Sequence, residues 1–206
     1  MYIPSSFSES NISKLHDLMR SNSFGLLVSA GTDQPLATHL PFLLDSQSGT
    51  FGTLLGHFAR ANPHWKQIEG QRVLAIFSGP HAYISPAWYE SEDVVPTWNY
   101  VAVHAYGVAS VLHDKEELRE ILLRSVEFFE SNSQNPWVMP DSDYMDRMLH
   151  AIVGLRIEID QIEGKWKLSQ NQPMDRRIKV VESLEKQGGF NSMSIADIMR
   201  SQWEKT

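Results

Sequence analysis

Between residues 24 and 57 three short apolar runs follow one another with only turn residues between them. Residues 24–29 read as a strand, Gly31-Thr-Asp-Gln-Pro35 as a turn and 36–44 as a second strand. A further turn signal, Asp45-Ser-Gln-Ser-Gly49, leads into a third strand over 50–57. Connections this short bring the chain back beside itself, so the strands are expected to pair as an antiparallel meander.

The rest of the chain extends that sheet and adds helices at the connections. Residues 72–77 form an apolar strand, and 97–112 form the longest strand candidate. In it Tyr100, Ala102, His104 and Tyr106 alternate with Val101, Val103, Ala105 and Gly107, which implies that both faces are covered. The aromatic segment 79–89 is interrupted by Pro86, which cannot donate to a ladder, so an edge strand, a bulge or a loop is expected there. Residues 152–159 are a strand, and Glu163-Gly164 is expected to turn into 165–170.

Helical spacing of Ile12, Leu15, Leu18 and Met19 predicts a helix over 9–20, with Ser8 and Ser10 as candidate caps. A short helix over 62–69 would start at Asn62-Pro63, with Trp65 and Ile68 on one face. Asp114 and Glu117 form a capping box ahead of Leu118, Ile121, Leu122, Val126 and Phe129. Residues 131–142 read as a loop anchored by Trp137, 143–150 as a short helix, and 175–187 and 195–203 as helical pieces split by Gly188-Gly189. No internal repeat or flexible linker interrupts the pattern. About seven strands with helices at their connections predict an α+β, mainly β fold: a β-barrel with peripheral helices.

Composition excludes several chemistries. The chain has 206 residues, enough for a sizeable core, and no cysteine, which rules out disulfides, thiolate metal sites and cysteine nucleophiles and suits a reducing cytoplasm. The start Met-Tyr-Ile-Pro-Ser-Ser has neither a cationic nor an apolar signal region, and no apolar run approaches the roughly 20 residues that span a bilayer, so neither export nor a membrane partner is expected. A formal net charge of −7 opposes a nucleic-acid surface over the whole molecule. Arg176-Arg177, Lys179 and Lys186 are the one basic cluster that could meet DNA, and a solvated amphipathic helix explains them as well.

Four phrases carry polar or aromatic residues at strand positions: Ala37-Thr38-His39-Leu40-Pro41; Gly56-His57-Phe58-Ala59-Arg60-Ala61-Asn62; Pro96-Thr97-Trp98-Asn99-Tyr100; and Gly164-Lys165-Trp166-Lys167-Leu168-Ser169-Gln170-Asn171. The second puts an imidazole, an arginine and the N–H groups of a helix start at one strand-to-helix corner. Unpaired N–H groups and a bidentate guanidinium together suit a phosphate-bearing ligand. Each phrase also has a plainer reading: His39 as a hydrogen-bonded core histidine, Arg60 as an exposed helix-start residue, Trp98 as core, and Lys167 to Asn171 as a polar strand end. Eight histidines invite a metal, but no His-x-His or HExxH spacing occurs, and His57 and His64 straddle a junction. Nor is there a Gly-x-Ser-x-Gly elbow, a Rossmann glycine pattern or a P-loop.

In this order, with Gly79-Pro-His-Ala-Tyr-Ile-Ser-Pro between the second and third, the four phrases resemble the PaiB-type flavin-binding family over roughly residues 1–187. More remotely the chain is similar to the pyridoxamine-phosphate-oxidase-like split barrels, homodimers that bind flavin mononucleotide (FMN) in clefts between subunits. The resemblance implies an FMN-binding split-barrel domain over 1–171 with a helical tail, 172–206, packed on it, in a cytoplasmic homodimer. It implies phosphate near Arg60 and the backbone of Ala59 to Asn62. Thr38, His39, Leu40 and Pro41 would edge the isoalloxazine, and His57 would sit beside the ring or ribityl chain. Trp98, Asn99, Lys167, Gln170 and Asn171 would close the cleft from the partner subunit. Haem, bound by some split-barrel relatives, is the lesser alternative through an exposed histidine. The family's label, negative transcriptional regulator, stands beside a flavin-dependent oxidoreductase with indirect regulatory effects. In that case Gly79 to Tyr89 would line the substrate face, with His81 and Tyr83 as donors and no catalytic acid or base identified.

Overall fold

Antiparallel strands dominate the computed structural model, which describes residues 1–140 and 142–203. Residue 141, in the expected 131–142 loop, and residues 204–206, at the end of the expected tail, lie outside the described residues. In chain order the strands are β1 (Ser8–Glu9), β2 (Phe24–Ser29), β3 (Leu36–Pro41), β4 (Leu43–Asp45), β5 (Thr53–Ala59), β6 (Arg72–Ile84), β7 (Thr97–Leu112) and β8 (Ile152–Lys167). The helices are α1 (Ile12–Ser21), α2 (Lys115–Glu130), α3 (Asp143–Leu149), α4 (Met174–Gln187) and α5 (Phe190–Ser201). Short 3-10 turns stand at Pro63–Gln67 and Pro86–Tyr89. The mainly β, α+β class read from the strand spacing is therefore correct.

Two units divide the chain, one formed by Ile12–Phe77 and His104–Ile162, the other by Met1–Asn11, Ser78–Val103 and Glu163–Thr206. In the first and larger unit the strand order is β3-β2-β6-β7-β8-β5-β4, which leaves β3 and β4 as edges. The expected second strand is broken because Phe42, 2 % exposed, turns into the core and donates its N–H to Ser23, so 36–44 becomes β3 and β4. Leu27, Leu54, Phe58, Phe77, Leu155 and Ile157 bury fully from alternating positions, and α1 closes on this core through Leu15 and Met19. Strands β7 and β8 meet closely at Gly107: a Cβ there would lie 2.1 Å from the Glu158 carbonyl oxygen. Asp114 caps α2 by accepting from the N–H groups of Glu116 and Glu117, while the Glu117 carboxylate meets Arg156 instead of completing the box. In the following loop Met139, not Trp137, is buried; Trp137 is half exposed.

The second unit holds the ends of β6, β7 and β8. Glu163-Gly164 does not turn, because β1 pairs there (Ser8 with Lys165, Glu9 with Gly164) and gives the extended backbone a ladder partner. Likewise β6 continues through the proline-containing segment to Ile84, and Pro86 occupies the first turn of a 3-10 turn capped by Ser85. Helix α4 packs on α5 and on that turn. Its buried side chains are Val180, Val181 and Leu184, with Ile178 exposed, and α5 starts five residues earlier than its spacing predicted, straight after Gly188-Gly189.

Candidate functional site

The expected site residues divide between the two units. Thr38, His39, Leu40, Pro41, His57, Ala59, Arg60 and Asn62 belong to the larger one, and Trp98, Asn99, Lys167, Gln170 and Asn171 to the smaller.

In the larger unit the corner after β5 is organised by His64, a residue the sequence pattern had weighed only as a metal ligand. Its ring is buried, with Nε2 2.8 Å from Ser29 Oγ and Nδ1 2.7 Å from Thr38 Oγ1. Asn62 Nδ2 donates to Thr38 Oγ1 at 3.3 Å, and Asn62 Oδ1 accepts from the His64 N–H at 3.0 Å. With Thr38 accepting from Asn62, its hydroxyl proton is free for Nδ1, and Nε2–H donates to Ser29; every group is then satisfied by a neutral imidazole. Burial pushes the His64 pKa down, as this tautomer requires. Thr38 and Asn62 are thus brought together through one ring.

Arg60 is exposed, but part of its guanidinium is structural. Nε donates to the His150 carbonyl at 2.6 Å and Nη2 to that of Ile152 at 2.7 Å, tying the end of β5 to the start of β8. Five N–H donors leave the Nη1 edge for a ligand. The expectation of several free N–H groups at this corner needs correction. The Arg60 N–H donates to Ala151, that of Asn62 to Ala59 and that of His64 to the Asn62 side chain, and the expected helix is a 3-10 turn of five residues. Capping by Asn62 is the physical cause: a side-chain oxygen satisfies the donor that an anion would have met. Nor is His39 a core histidine. It is exposed on the edge strand and stacked on Phe24, ring centroids 5.7 Å apart. Leu40 is buried, Pro41 and His57 are half-buried and Ala59 is exposed; burial also lowers the His57 pKa.

In the smaller unit Lys167 Nζ donates to Thr97 Oγ1 and to the Trp98 carbonyl, locking the end of β8 to the start of β7. Trp98 is half exposed and lies between His81 (ring centroids 6.1 Å) and Tyr83 (5.9 Å). Asn99 is fully buried and donates to Ser169 Oγ at 3.1 Å. The Gln170 side chain is used by its own turn, accepting from the Leu168 N–H and donating to the Trp166 carbonyl; Asn171 is exposed. Around these residues lies a cavity of about 240 Å³. Among the described residues no three His, Asp or Glu side chains gather as a metal site, and no helix is long and apolar enough to cross a membrane.

Sheet order, edge strands and peripheral helices place the chain in the class of split-barrel folds seen in flavoproteins. The FAD and haem binding protein from Mycobacterium smegmatis superposes with a TM-score of 0.63 at 14% identity, covering 89% of this chain and 80% of its own. The flavocytochrome Anf3 from Azotobacter vinelandii gives a TM-score of 0.63 at 13% identity, over 78% of this chain and 69% of its own. Within that class, residues 1–161 match the family described as "Putative FMN-binding domain", and the chain belongs to that family. The protease synthase and sporulation protein PAI 2 of Bacillus subtilis (strain 168) is 38% identical over 208 residues, covering 100% of this chain and 99% of the relative. The PaiB-type resemblance read from the four phrases thus stands as family membership.

Proposed function

We propose that the chain binds flavin mononucleotide and works as a homodimer, with the corner of β3, β5 and Arg60 as the holding side. The observation that carries this reading is an exposed edge, built rigidly, in a member of an FMN-binding family. Among the described residues β3 pairs with β2 alone, so the backbone groups on its outer side are available to the polar rim of an isoalloxazine. Beneath it the Thr38–His64–Asn62 network fixes the strand to the turn, and the Nη1 edge of Arg60 suits a phosphate. The residues present fit the group: His39 offers an exposed ring beside the strand, and His57 a half-buried neutral one. In the second copy, Trp98 and Asn171 would supply exposed contacts for the opposite wall, while Asn99, Gln170 and Lys167 would hold that wall's backbone. When bound, the flavin would supply hydride-accepting chemistry, and the protein orientation and a partly dry environment.

The regulatory effect that the PaiB-type resemblance implies would be indirect. Much of the basic cluster that could meet DNA is engaged within the chain. Arg176 donates to Ser91 and Gln172, Lys179 pairs with Glu90, and Arg177 lies over the Trp203 ring. The test is the visible spectrum of the purified protein before and after FMN is added, with flavin fluorescence followed in titration. Bands of bound flavin and quenched emission are expected; a Soret band instead would transfer the reading to haem, and neither band would end it. Promoter DNA should show no binding with a steep salt dependence.

A further inference from the structure

The cavity of the smaller unit has features that flavin binding does not explain. Its framework is a rigid strap after β8. Ser169 takes a left-handed backbone (φ 62°), which a non-glycine residue keeps only where its surroundings impose it. Here they do: the Gln170 side chain bonds both Leu168 N–H and the Trp166 carbonyl, Gln172 N–H donates to Ser169 at 2.9 Å, and Ser169 Oγ is held by Asn99 with Tyr89 Oη 3.4 Å away. That geometry fixes Lys167 and Asn171 on the cavity wall.

Charge is the second feature. Lys167 is half-buried, and Lys165, on the same strand face, is buried against the rings of Tyr2 (5.7 Å) and Tyr100 (5.2 Å) with its ammonium on the Tyr2 carbonyl. Among the described residues neither lysine has a carboxylate at ion-pair distance; Glu163 pairs with the N-terminal ammonium. On the cavity wall Lys167 carries its charge half-buried and without a counter-ion among the described residues, and burial together with Lys165 pushes its pKa down. An anion in the cavity would offset that burial.

Shape and remaining charges narrow the anion. Phe7, Val94 and Val95 give apolar walls, and Asp93, exposed, is the single carboxylate among the lining residues. A multiply charged group would meet Asp93, whereas a monoanion can direct its charge to Lys167 and its body to the apolar wall. A volume of about 240 Å³ lies below the roughly 300–1,000 Å³ of drug-sized ligand sites.

We propose that this cavity binds a small organic monocarboxylate, its carboxylate on Lys167 and its apolar body against Phe7, Val94 and Val95. The site shares Asn99, Lys167 and Asn171 with the wall proposed for the flavin, so benzoate binding without FMN tests this site while the visible spectrum tests the flavin separately. Calorimetric titration of the full chain, with and without FMN, uses benzoate as the probe, benzamide as its neutral counterpart and inorganic phosphate as the alternative anion. Benzoate should bind at one site per chain, at least about tenfold tighter than either control, the loss expected when a charge-assisted contact is missing. Lys167→Met should weaken benzoate by about tenfold or more. Since Lys167 also braces β7, Val95→Trp serves as the second variant: Val95 is 73% exposed at the cavity, and a bulky ring there should block entry without altering the thermal midpoint. Absence of benzoate binding, equal affinity for benzamide, preference for phosphate, or benzoate affinity unchanged by Val95→Trp would each overturn the proposal.

Discussion

Nδ1 of His64 lies 2.7 Å from Oγ1 of Thr38, and this contact joins the edge strand β3 to the turn after β5. Replacing His64 by Ala removes the partners of Thr38 and of Ser29, whose hydroxyl is buried. A loss of about 1–3 kcal/mol is expected from each buried polar group left unsatisfied. Urea denaturation checks it; a midpoint equal to the parent's would show that the network carries no stability.

The same ring gives stability a pH dependence. Burial holds His64 and His57 below the usual imidazole value of about 6.5. The unfolded chain therefore takes up these protons at higher pH than the folded one. Their contribution is complete above about pH 6.5 and is lost as the pH falls from there through the lowered folded values. Urea midpoints at descending pH should decline through this window, and His64→Gln should reduce the slope. A parent profile that stays flat would refute the neutral, buried imidazoles.

Arg60 has two tasks that one substitution would confuse. Arg60→Ala removes the braces to His150 and Ile152 as well as any phosphate contact. The informative quantity is the ratio of FMN to riboflavin affinity, in which the brace cancels. Arg60→Ala should lower that ratio about tenfold or more, in line with a lost charge-assisted hydrogen bond. A ratio that does not move would leave Arg60 as a structural clamp only.

Gly107 is where a side chain has no room. Gly107→Ala puts a methyl 2.1 Å from the Glu158 carbonyl oxygen, and backbone atoms in two central strands cannot move aside cheaply. Destabilisation of about 1–3 kcal/mol is expected, as for overpacked cores, read from the thermal midpoint.

Mass in solution tests the dimer. Sedimentation should give twice the 23.5 kDa of one chain; a species that stays monomeric at high concentration would remove the cleft completed by a second copy.

Much of the fold was legible in the order of residues. Strand β7 runs over the residues its alternation marked, 97–112, and α2 begins behind the Asp114 cap. Both signals are local: a side-chain period and a short-range hydrogen bond write themselves into adjacent residues. Less was legible of the site. Asn62-Pro63 marked where the chain leaves β5, but the expected helix is a 3-10 turn whose cap occupies the N–H groups a ligand would use. His39 stands exposed on the edge strand and not in the core of its plainer reading, and His64, weighed only as a metal ligand, is buried in a network, because burial of a histidine depends on what the sheet brings over it.

Local patterning alone settled most of the strand positions, the start of α2, the absence of thiol chemistry and, through four phrases in order, the family. Long-range packing fixed that Glu163-Gly164 stays extended, that His64 links Ser29 to Thr38, and that Lys167 stands on a small cavity with no carboxylate at ion-pair distance among the described residues. In each case the deciding partner is distant along the chain: β1 lies 155 residues from the strand it pairs in the Glu9–Gly164 register, and Ser29 lies 35 residues from His64. A pattern of neighbours records what each residue prefers, whereas hydrogen-bond partners and counter-ions are supplied by segments that meet only when the sheet forms.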